Sequence, residues 1–297
     1  MIELTLGLPA IALSIACAAA YSASDSLRKA IPHQAGALLA LFYAFLLEAP
    51  ILGVWLVLGG DYRLAEGYFL PGLAAAAVGL GANILFMVAL RRSPLSLMIP
   101  MLALVPVITA LFSGMLIGEW PSASQAAGIV FVAAGLFALY LPPGAGFSLR
   151  AVWGAFAREP GAKPMLGVVL LWSLNPPIDK MCLDFASVGM HGFVQLLVLS
   201  ATLGFWLVLR GGPRALRLPA GTIRPLAGVA LTAGIGYGLQ LAAYKMTLVA
   251  VVELIKRVIG LIGALFLGRA YFQEAITGPK AIGIAIMALG LPLVLLG

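Results

Sequence analysis

The sequence predicts an all-α integral membrane protein: ten transmembrane helices, built as two inverted five-helix repeats. Three observations carry that expectation. The 297-residue chain is 62% hydrophobic and only 10% charged, where a soluble domain is about one-quarter charged. Ten separate stretches reach the roughly 20 apolar residues that a helical span needs. A set of residues also recurs in the same order in the two halves of the chain.

The ten predicted spans are 8–29, 36–58, 69–90, 94–117, 123–142, 164–184, 190–209, 223–246, 248–268 and 277–296. The first follows MIELTLGLPA, which holds Glu3 and no Lys or Arg. A cleaved signal peptide has a basic leading region, so this stretch is read as a retained span. Spans one and six contain Cys17 and Cys182, read as small apolar packing residues. His33 and His191 are too scattered for a metal site, and no cofactor is expected. The longest connection, 143–163, is too short for a further domain, so the repeats are placed at 1–142 and 164–297.

The net charge of +7 does not call for nucleic acid. Thirteen of the 18 Lys and Arg lie in odd-numbered loops, two (Arg63 and Lys245) in even ones, and Lys180, Lys256 and Arg257 inside spans. Cytoplasmic loops collect basic residues, so the odd loops are expected in the cytoplasm and both termini outside. The expected setting is a bacterial inner membrane.

The internal repeat is read from order. ALFSG at 110–114 answers ALFLG at 264–268; Glu119 answers Glu274; Gly128 and Gly135 answer Gly283 and Gly290. YSASDSLRK at 21–29 answers WSLNPPIDK at 172–180. Five spans per copy is an odd number, so the second copy enters the membrane upside down. In secondary transporters of that plan the substrate site lies at the repeat interface near the midplane. Lipid gives helices little hydrophobic reason to associate, so small residues at the contacts matter. Gly114 and Gly118, Gly260, Ala264 and Gly268, and the two seven-residue glycine pairs are the expected contact positions.

Residues 106–140, PVITALFSGMLIGEWPSASQAAGIVFVAAGLFALY, resemble the end of an EamA unit of the drug/metabolite transporter superfamily. The proline, the small-residue run, Gly118-Glu119, Gln125, Gly128 and Gly135 carry the likeness. Residues 256–290 resemble the second unit. The resemblance implies a ten-span carrier that moves small organic solutes, often amino acids or other metabolites, outward. Members are often described with both termini in the cytoplasm, whereas the charge count here argues the reverse.

Charges inside spans are expensive and tend to be functional. In VVELIKRVIGL (251–261), Glu253, Lys256 and Arg257 share one side, because residues three and four apart are helix neighbours. Leu254, Ile255, Val258, Ile262 and Leu265 form the other side, expected to face lipid. The first repeat has Ile99, Leu102 and Ala103 in the equivalent places, so an architectural role shared by both repeats is disfavoured. The triplet keeps a net positive charge and is read as a dock for an anionic substrate group, for which the planar Arg fork is suited. A structural ion pair within span nine is the alternative.

Glu48, beside Pro50 in span two, is read as a proton carrier or the partner of a substrate amine, against a neutral Glu bridging helices. Tyr21, Asp25 and Lys29 form a stripe on span one, and Trp172, Asn175 and Asp179 one on span six, with Lys180 adjacent. Pro176 and Pro177 are expected to break the ladder there, and freed backbone beside polar side chains lines cavities. Asn83 and Gln240 are weaker cavity candidates.

Together these predict a secondary transporter, an exporter or exchanger of a small polar metabolite such as an amino acid, working by alternating access with possible proton coupling. Its partners are that solute and membrane lipid. No Gly-rich nucleotide loop is present, and the isolated acids do not form an enzyme's metal or nucleophile cluster. A flippase for a lipid-linked sugar on the same scaffold is the alternative.

Overall fold

The computed structural model describes residues 7–28, 30–32, 34–93, 99–139, 154, 158–272 and 278–296. Ten α-helices lie among them: α1 Leu8–Arg28, α2 Ala37–Gly59, α3 Phe69–Arg92, α4 Val105–Ile117, α5 Ala123–Leu139, α6 Ala162–Phe185, α7 Val188–Gly211, α8 Ile223–Tyr244, α9 Val249–Phe272 and α10 Gly278–Leu296. The fold is all-α, and the helices correspond one to one with the predicted spans, as two inverted repeats of five. Five segments are long and apolar enough to cross a membrane among the described residues.

One boundary and one expected break differ from expectation for a reason of backbone chemistry. Span four was expected to start at 94, but residues Ile99–Leu104 form a 3₁₀ turn and α4 begins at Val105. Pro106 sits in its first turn; proline has no N–H to contribute and its ring favours the start of a helix. Conversely, α6 is not interrupted at Pro176 and Pro177 but runs through them to Phe185. The carbonyls of Trp172 and Ser173 lose their intrahelical donors there. The buried Ser173 hydroxyl bonds backward to Val169 O at 2.6 Å and across to Val105 O at 3.3 Å.

The helices form two compact units. The first takes residues 1–7, 78–177 and 247–297, that is most of α3, α4, α5, the first two-thirds of α6, α9 and α10. The second takes residues 8–77 and 178–246, with α1, α2, the start of α3, the rest of α6, α7 and α8. Each unit therefore draws helices from both repeats.

In the first unit α5 packs on α10 through glycines. A Cβ on Gly128 would lie 2.6 Å from Gly290 O, and one on Gly135 would lie 2.7 Å from Gly283 O. The seven-residue spacing thus brings two pairs of equivalent glycines face to face. Ile129, Val132, Leu136, Met287 and Val294 fill the rest of that contact, and Leu254, Ile255 and Val258 of α9 join the same core. The expectation that this side of α9 faces lipid is corrected for Leu254, Ile255 and Val258: Leu254 is fully buried, because α9 packs against α4 and α5, while Ile262 and Leu265 lie outside the described side chains. α3 packs on α6, with Ala89, Met165 and Val168 buried together.

Gly114 and Gly118 are not a helix contact. Gly114 meets the Trp120 ring, and Gly118 ends α4 with φ +70°, the left-handed conformation that favours glycine. The chain then turns, and Glu119 Oε2 accepts the backbone N–H of Val249, the first residue of α9, at 3.2 Å. A carboxylate at a helix N-terminus satisfies an orphan donor and complements the dipole. Glu119→Ala should lower stability by about 1 kcal/mol, seen as a lower thermal midpoint in detergent. The matching Glu274, and Gly260's partners Ala264 and Gly268, lie outside the described side chains.

In the second unit α1 packs on α8 and α2 on α7. Gly189 and Gly192 of α7 admit Leu56 and Leu52, and Gly234 and Gly238 of α8 admit Ile51 and Trp55 of α2. The loop before α3 is tied down by Arg63, whose guanidinium donates to Leu183 O at 3.2 Å, and by Ser187 Oγ, which donates to Asp61 O at 2.5 Å. Thus α2, α4 and α5 each pack on their own counterpart from the other repeat.

Candidate functional site

The first unit gathers the charged triplet with two polar residues of α6. Glu253 lies in the first two turns of α9, where residues 249–255 are all buried, and is 2% exposed. Its Oε1 accepts from Lys256 Nζ at 2.6 Å, an i,i+3 pair whose partners are both largely out of solvent. Arg257, one residue on, is turned elsewhere. Its guanidinium lies over the Trp172 ring, 5.9 Å from the centroid, and its buried Nε has no hydrogen-bond partner.

Trp172 packs against Phe86 of α3, with ring centroids 4.9 Å apart. One turn along α6, Asn175 Oδ1 lies 3.3 Å from where a Cβ on Gly79 would stand. A side chain at 79 would crowd that amide. Asn83 Nδ2 donates to Gly79 O at 2.9 Å in its own helix. The arrangement is thus an arginine with an unused donor, an aromatic face beneath it, and an amide on the same helix as that face. An anion is the natural complement of such a fork.

The second unit holds a different cluster. Asp179 Oδ1 lies 3.2 Å from His191 Nε2; His191 Nδ1 lies 3.0 Å from the Tyr68 hydroxyl; Gln195 Nε2 donates to Tyr68 Oη at 3.2 Å and to Gly72 O at 2.8 Å. All four side chains are buried, none more than 3% exposed. Asp179 was a candidate on sequence; His191, Tyr68 and Gln195 were not. The usable signal was His191 and Gln195, polar and four apart inside an apolar span, which places them on one helix face.

The other candidates take separate places. Glu48 is buried in α2 beside Ala49 and Leu52. Tyr21 packs against Gly236 of α8. Asp25 is exposed on the last turn of α1, 3.5 Å from Arg28. Lys180 is half-buried on α6, and Gln240 is buried in α8. Lys29 lies outside the described residues. An apolar groove beside Pro50, lined by Gly53, Val57, Leu58 and Phe193, is remote in character from any of these charges.

Ten helices in inverted repeats, with ionisable groups buried inside apolar helices, define a polytopic membrane transporter. The chain belongs to the EamA-like transporter family, whose model matches residues 8–141 and 160–296, one match per repeat. It is thus a transporter of the drug/metabolite superfamily. A solved structure, described only as a crystal structure of a protein, is similar over 97% of this chain and 96% of its own, with a TM-score of 0.74 and 20% identity. That likeness concerns the fold. No curated protein matches the chain.

Proposed function

We propose that the protein is a secondary carrier, an exporter or exchanger, for a small metabolite bearing a carboxylate, such as an amino acid. The carboxylate docks on Arg257. The observation that supports this is the division of labour in the triplet: Lys256 takes Glu253, while Arg257 Nε is buried and unbonded. A buried unsatisfied donor is costly, and a substrate anion satisfies it. Trp172 and Asn175 supply a flat face and an amide beside it. The Glu253–Lys256 pair keeps the neighbouring charge neutral, so that Arg257 presents the one uncompensated cation of this stretch.

Transport proceeds by alternating access between the repeats, taken as 1–142 and 164–297. The thirteen basic residues of the odd loops support a bacterial inner-membrane setting with both termini outside. Binding tests the docking directly. The purified protein is heated with each proteinogenic amino acid and with its carboxamide. A ligand that binds the native state raises apparent stability by mass action. At least one acid should raise the midpoint while its amide does not. Equal shifts for acid and amide, or shifts only with lipid-linked sugars, would reject the carboxylate reading.

A further inference from the structure

In the second unit, the connection between α7 and α8 gathers positive charge. Arg210 lies in the last turn of α7, Arg214 and Arg217 in the connection, and Arg224 in the first turn of α8. All four side chains are exposed. No Asp or Glu occurs between Asp184 and Glu253, and among the described residues no ion pair takes any of the four. The connection has a defined shape. Pro213–Leu216 form a 3₁₀ turn, closed where Arg217 N donates to Arg214 O at 3.1 Å. Ala215 folds back on the end of α7, its Cβ 3.0 Å from where a Cβ on Gly211 would stand. That fold-back returns Arg214 toward the helix end that carries Arg210. The Tyr43 hydroxyl of α2 donates to Leu216 O at 2.8 Å and pins the turn.

We propose that this connection binds the phosphate headgroup of an anionic phospholipid, whose acyl chains lie along the end of α7. Setting membrane orientation needs only the sign of these charges; their placement does more. The Arg210 guanidinium lies over the Trp206 ring, 4.4 Å from the centroid, well inside cation–π range. Stacking engages the face of the guanidinium and leaves its in-plane N–H donors to a phosphate, which they can meet two at a time. Arg224 sits at the positive end of the α8 dipole, where a cation is disfavoured and an anion is stabilising; no side chain caps that end. A free inorganic anion would use the arginines alone. The surface continues into exposed Phe205, Trp206 and Leu209 of α7 and Ile223 of α8, apolar side chains that only a ligand with hydrocarbon chains can cover. Tryptophan beside basic residues is also the composition of a headgroup-level anchor. α1 ends at the same place, with Leu27 against Gly228, and its Asp25 is paired with Arg28. The inference is independent of whether Arg257 binds a carboxylate and of which side of the membrane this end faces.

The test uses the purified full-length protein in a nonionic detergent, titrated with phosphatidylglycerol or phosphatidylcholine of the same acyl chains and read by native mass spectrometry. Phosphatidylglycerol should bind about tenfold or more tightly than phosphatidylcholine. Arg210→Gln, Arg214→Gln, Arg217→Gln and Arg224→Gln should each weaken phosphatidylglycerol about fivefold. Without lipid all four should unfold at the wild-type midpoint, since none of these side chains is buried. Lys245→Gln removes the same charge from the exposed far end of α8 and should change nothing. Equal binding of the two lipids, or a Lys245→Gln loss as large as the arginine losses, overturns the proposal, because hydrocarbon or net charge alone would then account for the binding. Arg210→Lys keeps the charge without the fork and should lose part of the affinity. Trp206→Leu keeps an apolar side chain without the ring and should weaken phosphatidylglycerol while leaving phosphatidylcholine unchanged. Full affinity in both of these variants counts against the stacked guanidinium and so against the site. Inorganic phosphate alone should leave the thermal midpoint where it is, whereas phosphatidylglycerol should raise it. A rise as large with phosphate as with the lipid would give the arginines to a free anion and end the lipid reading.

Discussion

Arg257→Met should abolish binding of carboxylated solutes while leaving the ligand-free protein as stable as before, or more so. The two halves of this result come from one cause. In the folded protein the Nε donor is buried and unpaired, a penalty of about 1–3 kcal/mol. Its compensation is the contact with the Trp172 face at 5.9 Å, close to the outer limit of a cation–π interaction and worth roughly 0.5–1 kcal/mol. Desolvation therefore exceeds the ring contact, and an apolar side chain of similar length relieves it. With a carboxylate bound the balance inverts. Removing one partner of a hydrogen-bonded charge pair costs about 2–5 kcal/mol, and 3 kcal/mol is roughly a hundredfold in affinity. Arg257→Lys keeps the charge without the fork and should recover only part of the loss. The checks are thermal unfolding without ligand and titration with the amino acid that wild type binds. If Arg257 served architecture alone, stability would fall and binding would follow it down.

Gly128→Leu should produce the largest loss of stability of any single substitution in the α5–α10 contact. The first added carbon would stand 2.6 Å from Gly290 O and 2.6 Å from Val294 Cγ2. One of those obstacles is backbone, which no rotamer change can move aside. Overpacking of a filled core costs about 1–3 kcal/mol, and here the two helices must also separate along a contact that includes Gly135 and Gly283. Gly59→Ala is the matched control: nothing lies within 4 Å of its added Cβ. It should be neutral or stabilising by up to about 1 kcal/mol. A Gly128 variant that unfolds no earlier than the Gly59 variant would show that α5 and α10 do not meet as described.

These expectations separate kinds of information. The number of helices, their order and the repeat were legible in the sequence, because a helix that crosses lipid satisfies its own backbone and so announces itself in local composition. The α5–α10 glycines were legible for a related reason: close approach of two helices leaves room for no side chain, and that requirement stamps a spacing on each strand of sequence. The buried charges were legible too, since Glu253, Lys256 and Arg257 have no place in an apolar run without a partner.

Who partners whom was not legible. The i,i+3 and i,i+4 spacings allow Glu253 either cation, and only the packed rotamers give it Lys256 and leave Arg257 to Trp172. Likewise Leu254 and Val258 read from sequence as lipid-facing, because hydrocarbon and protein interior are alike to an apolar side chain; their burial is decided by α4 and α5 arriving from another part of the chain. From sequence His191 reads only as one of two scattered histidines. Its role depends on Asp179 twelve residues before it and Tyr68 on the other repeat, 123 positions away. The sequence by itself determined a membrane transporter of two inverted five-helix units; the tertiary structure alone decided which polar groups meet, because hydrogen bonds between helices depend on atoms brought together from distant positions, and local composition carries no record of them.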